Sequence, residues 1–357
     1  MIYLLLQHPG HNRVYYNASD KLALSELNIA CFNMDCECEN VSIIEIAGVR
    51  YLSFETESEL SLHDLQMLSR LSFIFAFYRA EKNKEDFVLY PIQKHELNFI
   101  DDKISTMLKY RGKTNELFTR LMINIAMLSS DFSYGDKIKL IDPIAGRGTT
   151  LYEGLVYGMD VCGVELEKSS VDESVNFFKK FLQEDRIKFS FQKRRIAGAN
   201  KAEAIFSEEF SYMLRNSDIA INKSFNMVCG NTLDLRKYFK AESFEIMVGD
   251  LPYGVVHGNV SSMRGNGASG KGRKLKKGSP TRNPVELLER ALPAWYKVLK
   301  RGGVAVIAWN SFLIQRNELA KYFEAVGFSV LSGEFYDEFE HKVDRAIKRD
   351  ILVAKKV

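Results

Sequence analysis

Cysteine is scarce in this chain: five residues of 357, an odd number. Cys31, Cys36 and Cys38 cluster, while Cys162 and Cys229 stand alone. A structural zinc site wants about four ligands at recurring spacings, and no second half answers the cluster. Free, reduced thiols and no bound metal are expected. Long apolar runs are missing too: none approaches the roughly 18 residues of a membrane helix. The start, Met1 to His8, has no basic region, and its apolar run is too short for a signal peptide. A cytoplasmic protein with no membrane partner is expected. No internal repeat is visible, and nothing in the sequence bears on oligomeric state.

The apolar fraction of 46% suffices for a sizeable core, and a charged fraction of 27% is ordinary for a folded domain. The length fits one large domain plus a smaller one. A net charge of +3 hides an asymmetry. Residues 1–100 hold eight Lys/Arg against fourteen Asp/Glu, which is −6 and leaves +9 for the rest. A basic main domain suits a polyanionic partner. The acidic front does not read as a nucleic-acid module on charge alone.

Residues 1–95 read as a small α+β domain. Tyr3–Leu6 and Val14–Tyr16 look like short strands, and Ser19–Ala30 has helical spacing. Ile43–Ile46 and Val49–Phe54 are strand-like around a Gly48 turn. Leu62, Leu65 and Leu68 mark a helix that the apolar run Leu71–Tyr78 would continue. Residues 96–115 are a polar linker, and 116–357 form the main domain. There, Asn115–Ser129 is an amphipathic helix, and Lys137–Ile141 is a buried strand ahead of a glycine turn. A helix from Thr149 and a strand Val161–Glu165 follow. Strand, glycine turn, helix, strand and acid make a βαβ unit of nucleotide-binding type. Residues 176–223 read as a polar, basic insert with one or two helices. Further strands at 226–229, 244–248, 304–309, 328–331 and 351–355 alternate with helices at 284–299 and 319–326. Such alternation implies a mostly parallel α/β sheet.

Two strings carry the chemistry. The first, Asp142-Pro143-Ile144-Ala145-Gly146-Arg147-Gly148-Thr149-Thr150, places two side-chain-free residues before a helix N-terminus. Such turns serve dinucleotides, flavins and S-adenosylmethionine alike. Two details favour S-adenosylmethionine. Glu165 ends the next strand, where its carboxylate can accept ribose hydroxyls, and the third glycine of the dinucleotide fingerprint is replaced by Leu151. The second string is Asp250-Leu251-Pro252-Tyr253. An apolar strand delivers it to a sheet edge of the kind where open α/β sheets bind ligands. Asp250 and the carbonyl of Leu251 offer acceptors at a turn constrained by Pro252, and Tyr253 offers a flat face. That set suits an exocyclic amino group, whose attack on a methyl sulfonium needs its hydrogens held and the reactants positioned.

On these motifs, residues 110–357 resemble class I S-adenosylmethionine-dependent methyltransferases. More narrowly, they resemble the tRNA guanosine-N2 methyltransferase family, whose members often pair this domain with an RNA-binding THUMP domain. That family's D-P-x-x-G-x-G-T turn, strand-ending acid and D-P-P-Y match Asp142, Pro143, Gly146, Gly148 and Thr149; Glu165; and Asp250, Pro252 and Tyr253. The run Lys113–Arg120 falls where the family has the helix before its cofactor turn. The resemblance implies a Rossmann-like seven-stranded sheet with its last strand antiparallel. It also implies cofactor contacts from Asp142, Gly146, Glu165 and the Gly230-Asn231-Thr232 loop. Asp250 would hold the target amine and Tyr253 stack on the base. This chain departs from the family in Leu251 for proline, in Ile144-Ala145 for Phe-Cys, and in the long insert.

A nucleic-acid partner has its own signal. Residues 254–285 contain seven Lys/Arg and no Asp or Glu, with five glycines in 265–278. Arg264, Lys271, Arg273, Lys274, Lys276 and Lys277 are thereby expected to grip phosphates beside the base pocket. His341–Arg345, ahead of the last strand, is a candidate for contact with RNA or the pocket rim. The resulting expectation is an RNA methyltransferase, acting on guanosine N2 in tRNA. Three alternatives stay open: a DNA adenine-N6 or cytosine-N4 methyltransferase, a non-catalytic RNA-binding protein, and a Rossmann oxidoreductase.

Overall fold

The computed structural model describes residues 1–8, 13–84, 86–108, 110, 113–196, 205–216, 219–252 and 284–357. The first sheet is built from β1 (Ile2–Gln7), β2 (Glu39–Ile46), β3 (Val49–Glu55), β4 (Ile74–Asn83) and β5 (Asp86–Ile92). Helices α1 (Arg13–Cys31) and α2 (Leu62–Arg70) are interleaved with them. The strand order β2-β3-β1-β4-β5 is antiparallel throughout, a βαββαβ ferredoxin-like pattern with one strand added. Ser61 and Asp64 start α2 with a reciprocal capping box.

Two expectations fail in this unit. Val14–Tyr16 lies inside α1 and is not a strand. The run from Leu71 does not extend α2; the chain turns there and Ile74 opens β4. Ile74 and Phe77 are both buried, and their strand pairs with β1. Pairing beside an existing strand outweighs a helical reading of so short an apolar run.

The remaining helices are α3 (Lys103–Met107), α4 (Glu116–Ser129), α5 (Thr149–Val156), α6 (Lys168–Glu184), α7 (Leu235–Tyr238), α8 (Pro284–Val298) and α9 (Arg316–Ala325). The remaining strands are β6 (Lys139–Asp142), β7 (Asp160–Glu165), β8 (Lys188–Ile196), β9 (Ile205–Asn216), β10 (Ile219–Cys229), β11 (Phe244–Asp250), β12 (Leu299–Asn310), β13 (Phe328–Leu331), β14 (His341–Lys342) and β15 (Lys348–Lys356). Among the described residues they form a ten-stranded sheet ordered β13-β15-β12-β11-β6-β7-β10-β9-β8, with β14 beside β15. Strands β12, β11, β6, β7 and β10 are parallel, and β15 runs against β12 and β13. This is a Rossmann-like α/β sheet with an antiparallel last strand. It is wider than the expected seven strands because β8, β9 and β14 are added. The described residues of 176–223 are therefore the end of α6 plus antiparallel strands β8, β9 and the start of β10, not helices alone. Phe210 and Tyr212, two apart on β9, both pack on Phe178 of α6, at ring-centroid distances of 5.2 and 5.5 Å.

Both faces of the large sheet are covered. Trp295, Trp309, Leu292, Ile141 and Val164 fill one side. The other side shares a continuous core with the first sheet, running from Leu5 and Phe54 through α1 to Phe118, Leu121 and Ile125 of α4 and on to Leu140. A buried polar cluster closes this joint. Glu26 of α1 accepts from the Ser72 amide and hydroxyl at 3.1 and 2.7 Å and from Asn124 Nδ2 at 2.7 Å. Asn124 Nδ2 also donates to the Arg70 carbonyl, and its Oδ1 accepts from the hydroxyls of Tyr134 and Tyr157. No helix among the described residues is long and apolar enough to cross a membrane.

Candidate active site

Parallel strands put their C-terminal ends on one edge, and there the motifs meet. β6 ends at Asp142, β7 at Glu165, β10 runs into Gly230–Thr232, and β11 ends at Asp250. Because β11, β6 and β7 are neighbours, three carboxylates from residues 108 positions apart in sequence share one edge. Gly249 shows how close they come. A Cβ there would lie 3.4 Å from Asp142 Oδ1 and 3.2 Å from Ile144 Cγ1.

Asp142 is buried and accepts from the Ile144 amide at 3.0 Å. Burial pushes its carboxyl up to about 7, and the negative charges of Asp250 and Glu165 act in the same direction. Glu165 is also pushed up by burial, against the hydrogen bonds it accepts from the backbone. Its Oε2 takes the Gly146 amide at 2.9 Å and its Oε1 the Glu167 amide at 2.7 Å. Each carboxylate oxygen has a second lone pair, so a ligand's hydroxyls can still be received there. An edge where burial disfavours the ionised form of two carboxyls is one where a bound cation would favour it.

The glycine turn takes its shape from left-handed residues. Gly146 has φ +52° and Gly148 φ +89°, which glycine adopts without strain. A Cβ on Gly148 would meet Ser174 Oγ at 2.9 Å, whereas one on Gly146 would meet nothing within 4 Å. Gly148 is therefore required for packing, and Gly146 faces open space next to Glu165. Pro143 is buried in the same turn. Thr149 Oγ1 lies 2.9 Å from the Tyr110 hydroxyl, and the Arg147 guanidinium sits 4.7 Å above the Tyr110 ring. Asn231 Oδ1 caps the next turn through the Leu233 amide at 3.0 Å. Thr232 Oγ1 is buried and accepts from Trp295 Nε1 at 2.9 Å, so this hydroxyl anchors α8.

Asp250 is held from two sides. Thr114 Oγ1 donates to its Oδ2 at 2.9 Å, and Arg349 Nη2 lies 3.6 Å from the same oxygen. Arg349 is almost wholly buried on β15 and lies 4.8 Å over the Phe118 ring. His341 is buried beside the same ring, and its Nδ1–H donates to the Phe339 carbonyl at 2.9 Å. Burial pushes it down to about 4, so it is neutral. It turns inward, while Lys342 and Arg345 of the same stretch are exposed. Leu251 is buried in the core and its amide donates to the Ala308 carbonyl at 2.8 Å. Proline at this position could not make that amide hydrogen bond. Pro252 is exposed. Tyr253 and the basic residues Arg264, Lys271, Arg273, Lys274, Lys276 and Lys277 lie outside the described residues.

Arg349, Thr114 and Tyr110 were not singled out in sequence. Thr114 sits in the Lys113–Arg120 run, but Arg349 lies in an unremarkable Lys-Arg-Asp, and its burial has no local signature. Cavities of about 460 Å³ beside Arg70 and Tyr134 and about 290 Å³ beside Tyr238 and Phe244 lie away from this edge.

No protein-family model and no curated protein matches the chain. Solved structures do match. TrmN from Thermus thermophilus is 10% identical, with 100% of each chain covered and a TM-score of 0.43. A putative RNA methyltransferase, PH1948 from Pyrococcus horikoshii, is 14% identical over 72% of this chain and 94% of its own, with a TM-score of 0.38. A TehB-like SAM-dependent methyltransferase from Corynebacterium glutamicum is 15% identical over 62% and 80%, with a TM-score of 0.31. Likeness this distant assigns no activity to the chain, so the site's own chemistry has to carry the functional reading.

Proposed function

We propose that this protein binds S-adenosylmethionine at the β6–β7 edge and methylates an exocyclic amine of an RNA base held at Asp250. Guanosine N2 in tRNA is the assignment within that class. One observation carries it: Asp142, Glu165 and Asp250 converge at the C-terminal ends of adjacent strands, beside the open backbone of Gly146. The cofactor supplies a methyl group on a positively charged sulfur. A cation fits an edge where burial raises Asp142 and Glu165.

The chain's residues then have distinct tasks. Glu165 receives hydroxyls while holding the Gly146 amide, and Gly146 leaves room for close approach. Asn231 shapes the loop after β10. Asp250, fixed by Thr114 and Arg349, accepts hydrogens of the target amine. The Leu251 carbonyl is the second acceptor and Tyr253 the stacking face. Holding both reactants in one geometry contributes most of the rate, since bound reactants reach effective molarities of about 10⁵ M or more. The basic run from Arg264 to Lys277 grips phosphates, which makes the substrate a nucleic acid.

The test uses labelled methyl transfer to unmodified tRNA and to duplex DNA. Wild type is expected to label tRNA at a guanosine amine. Asp250→Ala should abolish transfer with cofactor affinity within about twofold, and Glu165→Ala should abolish cofactor binding. Full activity of Asp250→Ala would overturn the role of that residue, and labelling confined to DNA would overturn the RNA assignment.

A further inference from the structure

Beyond Asp142, Glu165 and Asp250, the same sheet edge carries a second feature that the proposed chemistry does not use. Just past β12, Phe312 and Leu313 are 59% and 45% exposed, side by side. A single exposed apolar residue is ordinary, but this pair stands on a segment that is tied down. Asn310 and Ser311 are buried. Asn310 Nδ2 donates to the Ala346 carbonyl at 3.1 Å, and its Oδ1 accepts from the amides of Lys348 at 3.1 Å and Phe312 at 3.3 Å. The Ser311 amide donates to the Lys348 carbonyl at 2.7 Å, the Leu313 amide to the Asn310 carbonyl at 2.9 Å, and Trp309 Nε1 to the Ile314 carbonyl at 2.9 Å. Tertiary bonds thus fix the loop while its two apolar side chains face water.

The loop's place is equally specific. Asp250 pairs with Ala308 across β11 and β12, and Asn310 pairs with Arg349, the residue that contacts Asp250. Phe312 is four residues past the partner of Asp250, which is at most about 13 Å of extended chain at ~3.3 Å per residue. Lys342, Asp344 and Arg345 are exposed on the adjoining β14–β15 segment, and Arg345 precedes Ala346, whose carbonyl Asn310 binds. A fixed aromatic face with cations beside it is the arrangement that holds unpaired nucleotides, because any base has a face to stack and a phosphate to neutralise.

We infer that Phe312 and Leu313 form a stacking platform for an unpaired base of the RNA substrate adjacent to the one methylated. The inference rests on the RNA reading of the Asp250 site. It is tested with full-length Phe312→Ala, the double variant Phe312→Ala/Leu313→Ala, and Phe312→Trp on an unmodified tRNA transcript. Phe312→Ala should raise the KM for tRNA about 5- to 100-fold. Its kcat, cofactor Kd and melting temperature should match wild type. The double variant should be weaker still, and Phe312→Trp should restore binding. An unchanged tRNA KM in Phe312→Ala, with wild type methylating tRNA, overturns this inference and leaves the function standing. Weaker tRNA binding that coincides with dissociation of an oligomer in gel filtration overturns it in favour of a protein interface. Wild type that binds cofactor but methylates no tRNA overturns the tRNA assignment on which this inference rests.

Discussion

At the residue scale, the site is a matter of compensated charge. Asp142, Glu165 and Asp250 would repel one another as a bare cluster. Arg349 answers one of them from a buried position 3.6 Å away. Replacing it by methionine removes this positive partner while keeping the Thr114 hydrogen bond to Asp250 Oδ2. Arg349→Met is expected to lower kcat about 10- to 100-fold, as for loss of a charge-assisted contact, with cofactor Kd unchanged. Arg349→Lys should recover part of this, and neither change should matter in an Asp250→Asn background if Arg349 acts through Asp250. Steady-state kinetics on both parents and the Arg349→Met and Arg349→Lys variants of each decides it. Asp142 makes a pH prediction. Its carboxyl titrates at about 7 in the folded protein, above the ordinary 3.8. A cation beside it favours the ionised form, so S-adenosylmethionine should bind more tightly as pH rises from about 6 to 8. Its product, which lacks the sulfonium charge, should show a shallower slope by calorimetry. Equal slopes would remove Asp142 from the cation site. Of these residues, Asp142, Glu165 and Asp250 were legible because each ends an apolar strand. Arg349 was not, since a buried arginine looks like any other arginine until its neighbours from α4 and β11 are known.

At the element scale, the βαβ unit works because its layers are close. Gly163, in the middle of β7, is the tightest point. A Cβ there would sit 2.5 Å from Met227 Sδ, 2.7 Å from Leu151 Cδ1 and 2.9 Å from the Ala145 Cβ. Gly163→Ala therefore overpacks the contact between β7, β10, α5 and the glycine turn. It should destabilise the protein by about 1–3 kcal/mol, read as a lower denaturation midpoint, and weaken cofactor binding by displacing Ala145 next to Gly146. A stability equal to wild type would show that Met227 yields freely. The strands of this unit could be read from their apolar runs and the helices from their periodicity. The ribbon β8–β9 could not. Its buried face is carried by a few aromatics such as Phe210 and Tyr212 among charged and polar residues, and so sparse an apolar alternation carries a weak periodic signal. β4 failed for the opposite reason: its apolar run fits either structure, and only β1 beside it decides.

At the scale of the whole molecule, the two sheets are joined through α4, whose buried Asn124 binds Glu26, the Arg70 carbonyl and two tyrosine hydroxyls. Glu26 is fully enclosed, and burial pushes it up to about 7. Asn124→Ala should strand several buried polar groups and cost about 3 kcal/mol or more. Both sheets should still unfold in one denaturant transition, because they share a core. Two separated transitions in wild type would refute that coupling. α4 also carries Phe118, on which Arg349 lies, so the joint and the site meet on one helix. By itself the sequence determined where strands end, which turns need glycine, and which acids close the strands, because these depend on local periodicity and backbone sterics. It also placed a cationic run directly after the Asp250 turn. Only the tertiary structure decided that the three acids share an edge, that Arg349 and Thr114 hold Asp250, that His341 turns inward, and that the first sheet is packed onto α4. Those facts depend on which distant elements become neighbours, and the buried charges and hydrogen bonds there take their energies from that enclosure rather than from their own residue types.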